Sequence, residues 1–121
     1  MQAQVLRPDP ADEYDTEERC FILEMSNSSG DDALSIARAR VAPGVTTAWH
    51  RVEDTAERYV ILEGEGLVEL AGLDPARVVA GDVVVIPANL EQRITNTGQS
   101  DLLFLALCTP RFRPERYVHL E

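Results

Sequence analysis

The sequence predicts an all-β domain, because short strand-like segments recur along almost the whole chain. Segments rich in valine, isoleucine, leucine and aromatic residues return at a spacing of roughly eight to twelve residues. Clusters of glycine, proline, asparagine and aspartate separate them, and no stretch has the apolar period of a confident helix. This pattern is typical of a sandwich or a barrel, and 121 residues suffice for one such domain with a single core.

The N-terminal part of the chain predicts an arm followed by two strands. Residues 1–18 are polar and acidic, so we expect an arm that is mobile unless the barrel rim or another subunit holds it. Residues 19–25 form the first predicted strand, which a turn-rich segment ends. Residues 34–42 alternate with a period of two, which indicates a second strand. Alanine and arginine also favour a helix, but the Pro43-Gly44 stop favours the strand.

Glycine and proline divide the rest of the chain into further strands. Pro43-Gly44 leads into a predicted strand over residues 45–52, which carries His50. Residues 63–66 are a predicted hairpin turn, with glycine where a positive φ is wanted. The remaining predicted strands are residues 57–62, 67–70, 77–80, 83–86, 92–96 and 102–109.

Glycine, histidine and glutamate recur at a defined spacing around His50. Gly44 is followed after five residues by His50, and Glu57 is followed after six residues by Gly64. This spacing resembles the first of two motifs of the cupins, which are small jelly-roll barrels, also called double-stranded β-helices. Val52 stands where the family has a second histidine.

A second group of residues is similar to the second cupin motif. Gly81, Pro87 and Asn96 stand at its expected positions, while Asn89 replaces a glycine and Gln92 replaces a histidine. The two motifs follow in the family's order on strand-like segments.

The resemblance covers about residues 34–109 and implies one cupin barrel over residues 19–110. Residues 1–18 are then the polar arm, and residues 111–121 are expected to form a C-terminal tail packed on the barrel surface.

Strand periodicity places three polar side chains on faces that could line the barrel. Side chains two residues apart in a strand point to the same side. His50 therefore shares a strand face with Ala48 and Val52. Glu57 shares one with Tyr59 and Ile61, and Gln92 shares one with Ile94 and Asn96. If these faces line the barrel, the three side chains converge as the corresponding cupin ligands do.

The resemblance implies a divalent metal ion, such as Zn, Fe, Mn or Ni, held by His50, Glu57 and Gln92. Imidazole suits the later transition metals. Val52 and Gln92 remove two nitrogen donors, and an amide oxygen is a weaker donor, so we expect weaker binding than in a three-histidine cupin. In the alternative, His50 and Gln92 hydrogen-bond each other or Glu57 in a metal-free pocket, because a buried Glu57 without a partner tends to protonate.

Glu57 and Tyr59 are the candidate catalytic residues for proton transfer. Tyr59 points inward by the same period, but core packing with a satisfied hydroxyl would also place it there. Arg38 and Arg40 could reach an anionic ligand if their face is inward, and otherwise form a solvated or salt-bridged face. His119 lies in the tail and is expected to be exposed.

Composition limits the partners and the location of the protein. The formal net charge of −10 repels nucleic-acid phosphates and acidic membranes. All eleven basic residues are arginines, which excludes Schiff-base lysine chemistry. No apolar run approaches the roughly 18 residues that cross a bilayer. The N-terminus lacks a signal pattern, so we expect a cytoplasmic protein whose Cys20 and Cys108 are reduced core residues.

These observations predict a single-domain cupin that binds a small polar or carboxylated molecule at a divalent metal in the barrel. If it is an enzyme, the resemblance allows a dioxygenase, isomerase, lyase or cyclase reaction. A non-catalytic, metal-free module that binds a small molecule is the alternative, and Val52 and Gln92 favour it. The apolar strand 83–86, and an arm able to cross to a partner, predict a homodimer.

Overall fold

The chain folds into two antiparallel β-sheets, which a computed structural model describes for all residues from 1 to 121. The predicted all-β class is confirmed, and the helical segments are three 3₁₀ turns at Pro10–Asp12, Ser29–Asp31 and Pro114–Arg116. None of them is long or apolar enough to span a lipid bilayer. The strands are β1 (Tyr14–Asp15), β2 (Phe21–Ser26), β3 (Ser35–Val41), β4 (His50–Val52), β5 (Ala56–Glu63), β6 (Glu65–Leu70), β7 (Ala76–Val79), β8 (Val83–Ile86), β9 (Gln92–Asn96), β10 (Leu102–Thr109) and β11 (Tyr117–His119).

Successive strands repeatedly change sheets, as in a jelly roll. The larger sheet has the order β1-β2-β3-β10-β5-β8, and the smaller sheet has the order β11-β4-β9-β6-β7. In the larger sheet, β10 pairs with β3 from Leu102 opposite Val41 to Cys108 opposite Ser35, and with β5 on its other side. In the smaller sheet, β4 meets β9 where His50 lies opposite Gln92. The two sheets therefore face each other across the core.

The hydrophobic core fills the space between the sheets. Burial alternates along β9, where Ile94 points inward. Val41, Ile61, Ile86 and Leu102 from other strands join it, and each of the five is at most 1% exposed. Full burial of one such side chain contributes about 1.5–3 kcal/mol. The period of two in the sequence thus determines which side chains of each strand point into the core.

The turn between β5 and β6 depends on Gly64. Its φ is 86°, and a Cβ at this position would lie 2.7 Å from the carbonyl oxygen of Asp101. Residues with a side chain disfavour this φ, and the close approach leaves no room for one. The predicted glycine with positive φ in this hairpin turn is confirmed.

β4 begins at His50 rather than at Val45, where the sequence predicted its start. The Val45 amide turns back to the carbonyl of Ala42, and the Ala48 amide donates to the carbonyl of Glu18. These amide groups bond to a turn and to the N-terminal segment, so the regular strand is confined to three residues.

Both ends of the chain contain a short strand that the sequence does not predict. β1 pairs with β2, and β11 pairs with β4. Two or three residues are too few to show a period, so these strands depend on their neighbours. In the N-terminal segment, Glu13 forms ion pairs with Arg38 at 3.2 Å and Arg40 at 2.6 Å. Residues 13–15 therefore contact the larger sheet.

Candidate functional site

A cavity of about 370 Å³ lies between the two sheets. More than half of the residues that line it are hydrophobic, including Ile22 and Phe104. Its polar lining includes His50, Glu57 and Tyr59, which are 3%, 7% and 5% exposed. The strand faces that the sequence predicted to be inward therefore do line a common space.

Gln92 connects two of these residues across the sheets. It is 1% exposed, and its amide nitrogen donates to Glu57 Oε1 at 2.7 Å. The Tyr59 hydroxyl donates to the Gln92 amide oxygen. The two bonds together fix the orientation of the amide, since only the nitrogen can donate and only the oxygen can accept. Glu57 and Gln92 thus contact each other, and the same amide accepts the hydrogen bond of the Tyr59 hydroxyl.

The second oxygen of Glu57 accepts a weak hydrogen bond from the Cys108 thiol at 3.6 Å. Burial raises the pKa of Glu57, although the nearby His50 acts in the opposite direction. Burial also raises the pKa of Cys108 and that of Tyr59, well above the ordinary tyrosine value in the latter case. The thiol and the phenol consequently remain protonated and serve as donors.

His50 is held in one orientation by the backbone. Its Nδ1 lies 2.7 Å from the carbonyl oxygen of Ala48, and a carbonyl can only accept. Nδ1 therefore carries a proton, which leaves Nε2 as the ring atom free to bind something else. The Tyr117 ring from β11 stacks on the imidazole, with centroids 5.2 Å apart and planes inclined by 28°.

Glu18 lines the same cavity and was not among the predicted site residues. Its Oε2 lies 4.0 Å from His50 Nε2, and its side chain is 24% exposed. Burial raises the pKa of Glu18 to about 7, against a smaller opposing effect of the Cys20 thiol. The adjacent Arg19 anchors this segment, because its guanidinium donates to the Thr46 carbonyl at 2.8 Å.

The acidic run before the first strand is the signal that could have pointed to Glu18. Such a run is usually a solvated face, and nothing in the local sequence shows that the chain folds it over a barrel. Glu17, Glu18 and Tyr117 line the cavity and keep part of their surface exposed to solvent, and we refer to these three residues as the mouth. Tyr117 was missed because it lies in a tail with no strand-like pattern.

The two arginines considered for anion binding do not line the cavity. Arg38 and Arg40 pair with Glu13, and the Arg40 guanidinium also lies 4.2 Å from the centroid of the Phe21 ring. These two arginines therefore form the salt-bridged face that was the alternative to anion binding. His119 is exposed, as expected.

The donor atoms do not fit a metal centre as they are arranged. No group of three or more histidine, cysteine, aspartate or glutamate side chains is placed to hold a metal ion. Glu57 accepts a hydrogen bond from the Gln92 amide nitrogen, and the Gln92 amide oxygen accepts one from Tyr59. His50 keeps one free ring nitrogen. Val52 adds only an apolar side chain to the cavity lining. Of the predicted ligands His50, Glu57 and Gln92, the last two are thus hydrogen-bonded to each other.

Comparison with protein families and with known proteins agrees with this fold. The family model described as "Cupin domain" matches residues 37–108, which is more than half of the chain. An oxalate-binding protein from Thermotoga maritima is 39% identical over 90 residues, which cover 70% of this chain and 74% of that protein.

Two solved structures share the architecture at low sequence identity. KdgF from Halomonas sp. has a TM-score of 0.77 and 21% identity, and the match covers 90% of this chain and 96% of that one. A nucleoside dehydratase from Streptomyces has a TM-score of 0.78 and 13% identity, covering 98% and 92%. At these identities the two structures bear on the fold alone. The match over residues 37–108 and the similarity to the Thermotoga protein show that this chain belongs to the cupin family.

Proposed function

We propose that this cupin binds a small uncharged or cationic molecule with an apolar body in its barrel cavity, and that it does so without a metal ion. The observation that carries the proposal is the charge of the lining. Glu17, Glu18, Glu24 and Glu57 line the cavity, whereas no arginine does, and the chain has no lysine. Pockets of this size are typically apolar, with a few polar groups that orient the ligand.

The charge of the cavity argues against an anionic ligand. A carboxylate that leaves water costs several kcal/mol unless a cation pairs with it. Arg38 and Arg40 are already paired with Glu13 outside the cavity. The similar Thermotoga protein is named for oxalate, which is a dianion, and this cavity offers no arginine or lysine to pair with one. We therefore propose a ligand of different charge for this chain, and not the carboxylated ligand expected from the sequence.

The hydrogen-bond network supports the metal-free alternative. The oxygens of Glu57 and Gln92 already accept from Gln92, Cys108 and Tyr59, so a metal would have to displace these bonds. We propose that Glu57 forms the polar end of the cavity, that Gln92 orients Glu57 from behind the cavity wall, and that Tyr59 holds Gln92 in place. A binding role for Glu57 and Tyr59 is proposed in place of proton transfer.

The proposal is tested with matched ligands that share a carbon skeleton. Phenethyl alcohol, phenethylamine and phenylacetate are titrated separately into nitrogen-15-labelled protein, and amide shifts of cavity residues are followed by NMR. The alcohol or the amine should bind, and phenylacetate should bind at least about tenfold more weakly because its charge is unpaired. Preferential binding of phenylacetate, or no cavity binding by any of the three, would overturn the proposal.

We also propose that two copies associate through the outer face of β8. Val83 and Val85 alternate with buried residues on this strand and are 58% and 63% exposed. The strand also lies at the edge of the larger sheet, where one side of its backbone has no neighbouring strand. A second copy packed on this face would shield the two valines and the unpaired strand edge from water.

A further inference from the structure

We propose that Glu18 and His50 together bind an amino group of the ligand at the mouth of the cavity. The inference rests on the proposed function, because it specifies the cationic form of the same ligand. It assigns a role to Glu18, which lies outside the two cupin motifs and outside the residues matched by the family model.

The backbone fixes the orientation of the His50 ring. Its Nδ1 proton is directed to the Ala48 carbonyl, so Nε2 is the ring nitrogen left to meet a ligand. The side chain is 4% exposed, and Nε2 has no hydrogen-bond partner in the protein. An unpaired ring nitrogen on a buried side chain that lines a cavity is a suitable acceptor for a ligand donor.

The gap between Glu18 and His50 has room for one ligand atom. Glu18 Oε2 lies 4.0 Å from His50 Nε2, which is too far for a hydrogen bond between them. One nitrogen or oxygen atom can nevertheless lie roughly 2.9 Å from both atoms. Since Nε2 and an ionised carboxylate both accept, the bridging atom must supply two hydrogens. An amino group has them, whereas a hydroxyl group has only one.

Glu18 has no arginine as a charge partner. Its carboxylate lies 3.8 Å from the Cys20 thiol and 4.0 Å from His50, and the thiol is a weak donor. Glu18 forms no ion pair with an arginine, and no arginine lines the cavity, so no guanidinium cation lies beside its carboxylate. A ligand ammonium group would supply a cation. Because the Tyr117 ring stacks on the face of the imidazole, the ammonium group would bind at the edge of the His50 ring.

The experiment compares Glu18→Gln with the matched control Glu17→Gln. Glu17 also lines the cavity at the mouth, so both substitutions remove one carboxylate from the same region. The dissociation constants of phenethylamine and phenethyl alcohol are measured for each protein by NMR titration at about pH 8, where Glu18 is ionised. Thermal unfolding and circular dichroism establish that each variant is folded.

In the wild type, phenethylamine should bind about tenfold more tightly than phenethyl alcohol, because a charge-assisted bond replaces a neutral one. Glu18→Gln should abolish this preference while leaving the alcohol affinity within about twofold. Glu17→Gln should keep most of the preference. If the alcohol binds in the cavity but the amine shows no preference, or the preference survives in Glu18→Gln, the Glu18–His50 site is wrong while the proposed function stands. If neither molecule binds in the cavity, the proposed function itself is wrong.

Discussion

Gln92 donates a hydrogen bond of 2.7 Å to Glu57 and thereby joins the two sheets through buried side chains. Glu57 lies on β5 of the larger sheet, and Gln92 lies on β9 of the smaller one. Both residues occupy positions that the cupin motifs assign to the site. In this chain, the two positions are coupled directly to each other, and the coupling affects both stability and binding.

Replacing Gln92 by leucine should lower the free energy of unfolding by about 2–4 kcal/mol. Leucine is of similar size, but it leaves the Glu57 carboxyl and the Tyr59 hydroxyl buried without their partner. Urea denaturation measures the change. Arg93→Gln is the control, since it removes a partly exposed ion pair to Glu69 from the outer face of the same strand and should cost about 1 kcal/mol or less. Equal losses in the two variants would contradict this interpretation of the network.

The wild-type protein, purified without chelator or nickel resin, should carry no stoichiometric transition metal. Replacing Val52 and Gln92 together by histidine should create zinc binding, because it adds two imidazole donors beside His50 and Glu57. Elemental analysis after dialysis against zinc measures both proteins. Val52→Leu combined with Gln92→Leu controls for nonspecific uptake. A wild-type protein that retains one equivalent of metal would instead support the metal site expected from the sequence.

Glu18→Gln should stabilise the protein above neutral pH. The pKa of Glu18 is raised to about 7 in the folded state from 4.5, so folding favours its protonated form. The stability that this proton provides is complete below about pH 4.5 and is lost as the pH rises through 7, by up to about 3 kcal/mol. The variant should therefore exceed the wild type in urea denaturation at about pH 8 and match it at about pH 4.5. A difference that does not change with pH would rule out titration of Glu18 as its cause.

Glu13→Ala should destabilise the protein and expose the N-terminal segment to proteases. Glu13 pairs with Arg38 and Arg40, and hydrogen bonding to Arg40 lowers the pKa of Glu13. The stabilisation, about 1–2 kcal/mol, is present above pH 4.5 and is lost as the pH falls through the lowered value. Limited proteolysis followed by mass spectrometry should show earlier cleavage before residue 20 than in Asp12→Ala, which removes an exposed carboxylate. Equal cleavage in the two variants would contradict a role of Glu13 in holding the segment.

Val85→Glu should convert the protein from a dimer into a monomer. The substitution places a charge on the exposed apolar row of β8, where a second copy is proposed to pack. Light scattering coupled to gel filtration should give twice 13.4 kDa for the wild type and about that mass for the variant. Leu73→Glu, at a loop position that is 66% exposed, should leave the mass unchanged. A wild-type mass near that of one chain would refute the proposed dimer.

The sequence predicted the barrel and its inward faces because both depend on a period of two. Ala48, His50 and Val52 are all at most 3% exposed, as the alternation required. The same rule places Asn96 inward, but its amide donates to the carbonyls of Val41 and Ser100, each at 2.8 Å. Asn96 thus fixes a turn and lies outside the cavity. Parity predicts the side of the sheet on which a residue lies, but not the group that it meets there.

The residues of the mouth were also missed in the sequence, and the reason differs from that for Asn96. Glu18 and Tyr117 are about a hundred residues apart in sequence and come together only because both ends of the chain fold over the same opening. No local pattern carries information about such a meeting. Pairing of β11 with β4 places Tyr117 opposite Val52, beside His50. The composition of the ends indicated polar segments, whereas the polar chemistry of the mouth arises from long-range packing.

The two cysteines give this molecule built-in reporters of cavity occupancy. Both thiols line the cavity and are free, Cys20 beside Glu18 and Cys108 beside Glu57. Burial raises the pKa of Cys20 to about 12, so alkylating reagents, which attack the thiolate, should modify the empty protein slowly and measurably. A molecule seated at the mouth should slow modification of Cys20 more than that of Cys108, and one seated at the inner polar end should do the reverse. Peptide mass mapping of the alkylated protein, which separates Cys20 from Cys108, would therefore locate a ligand without any substitution in the chain.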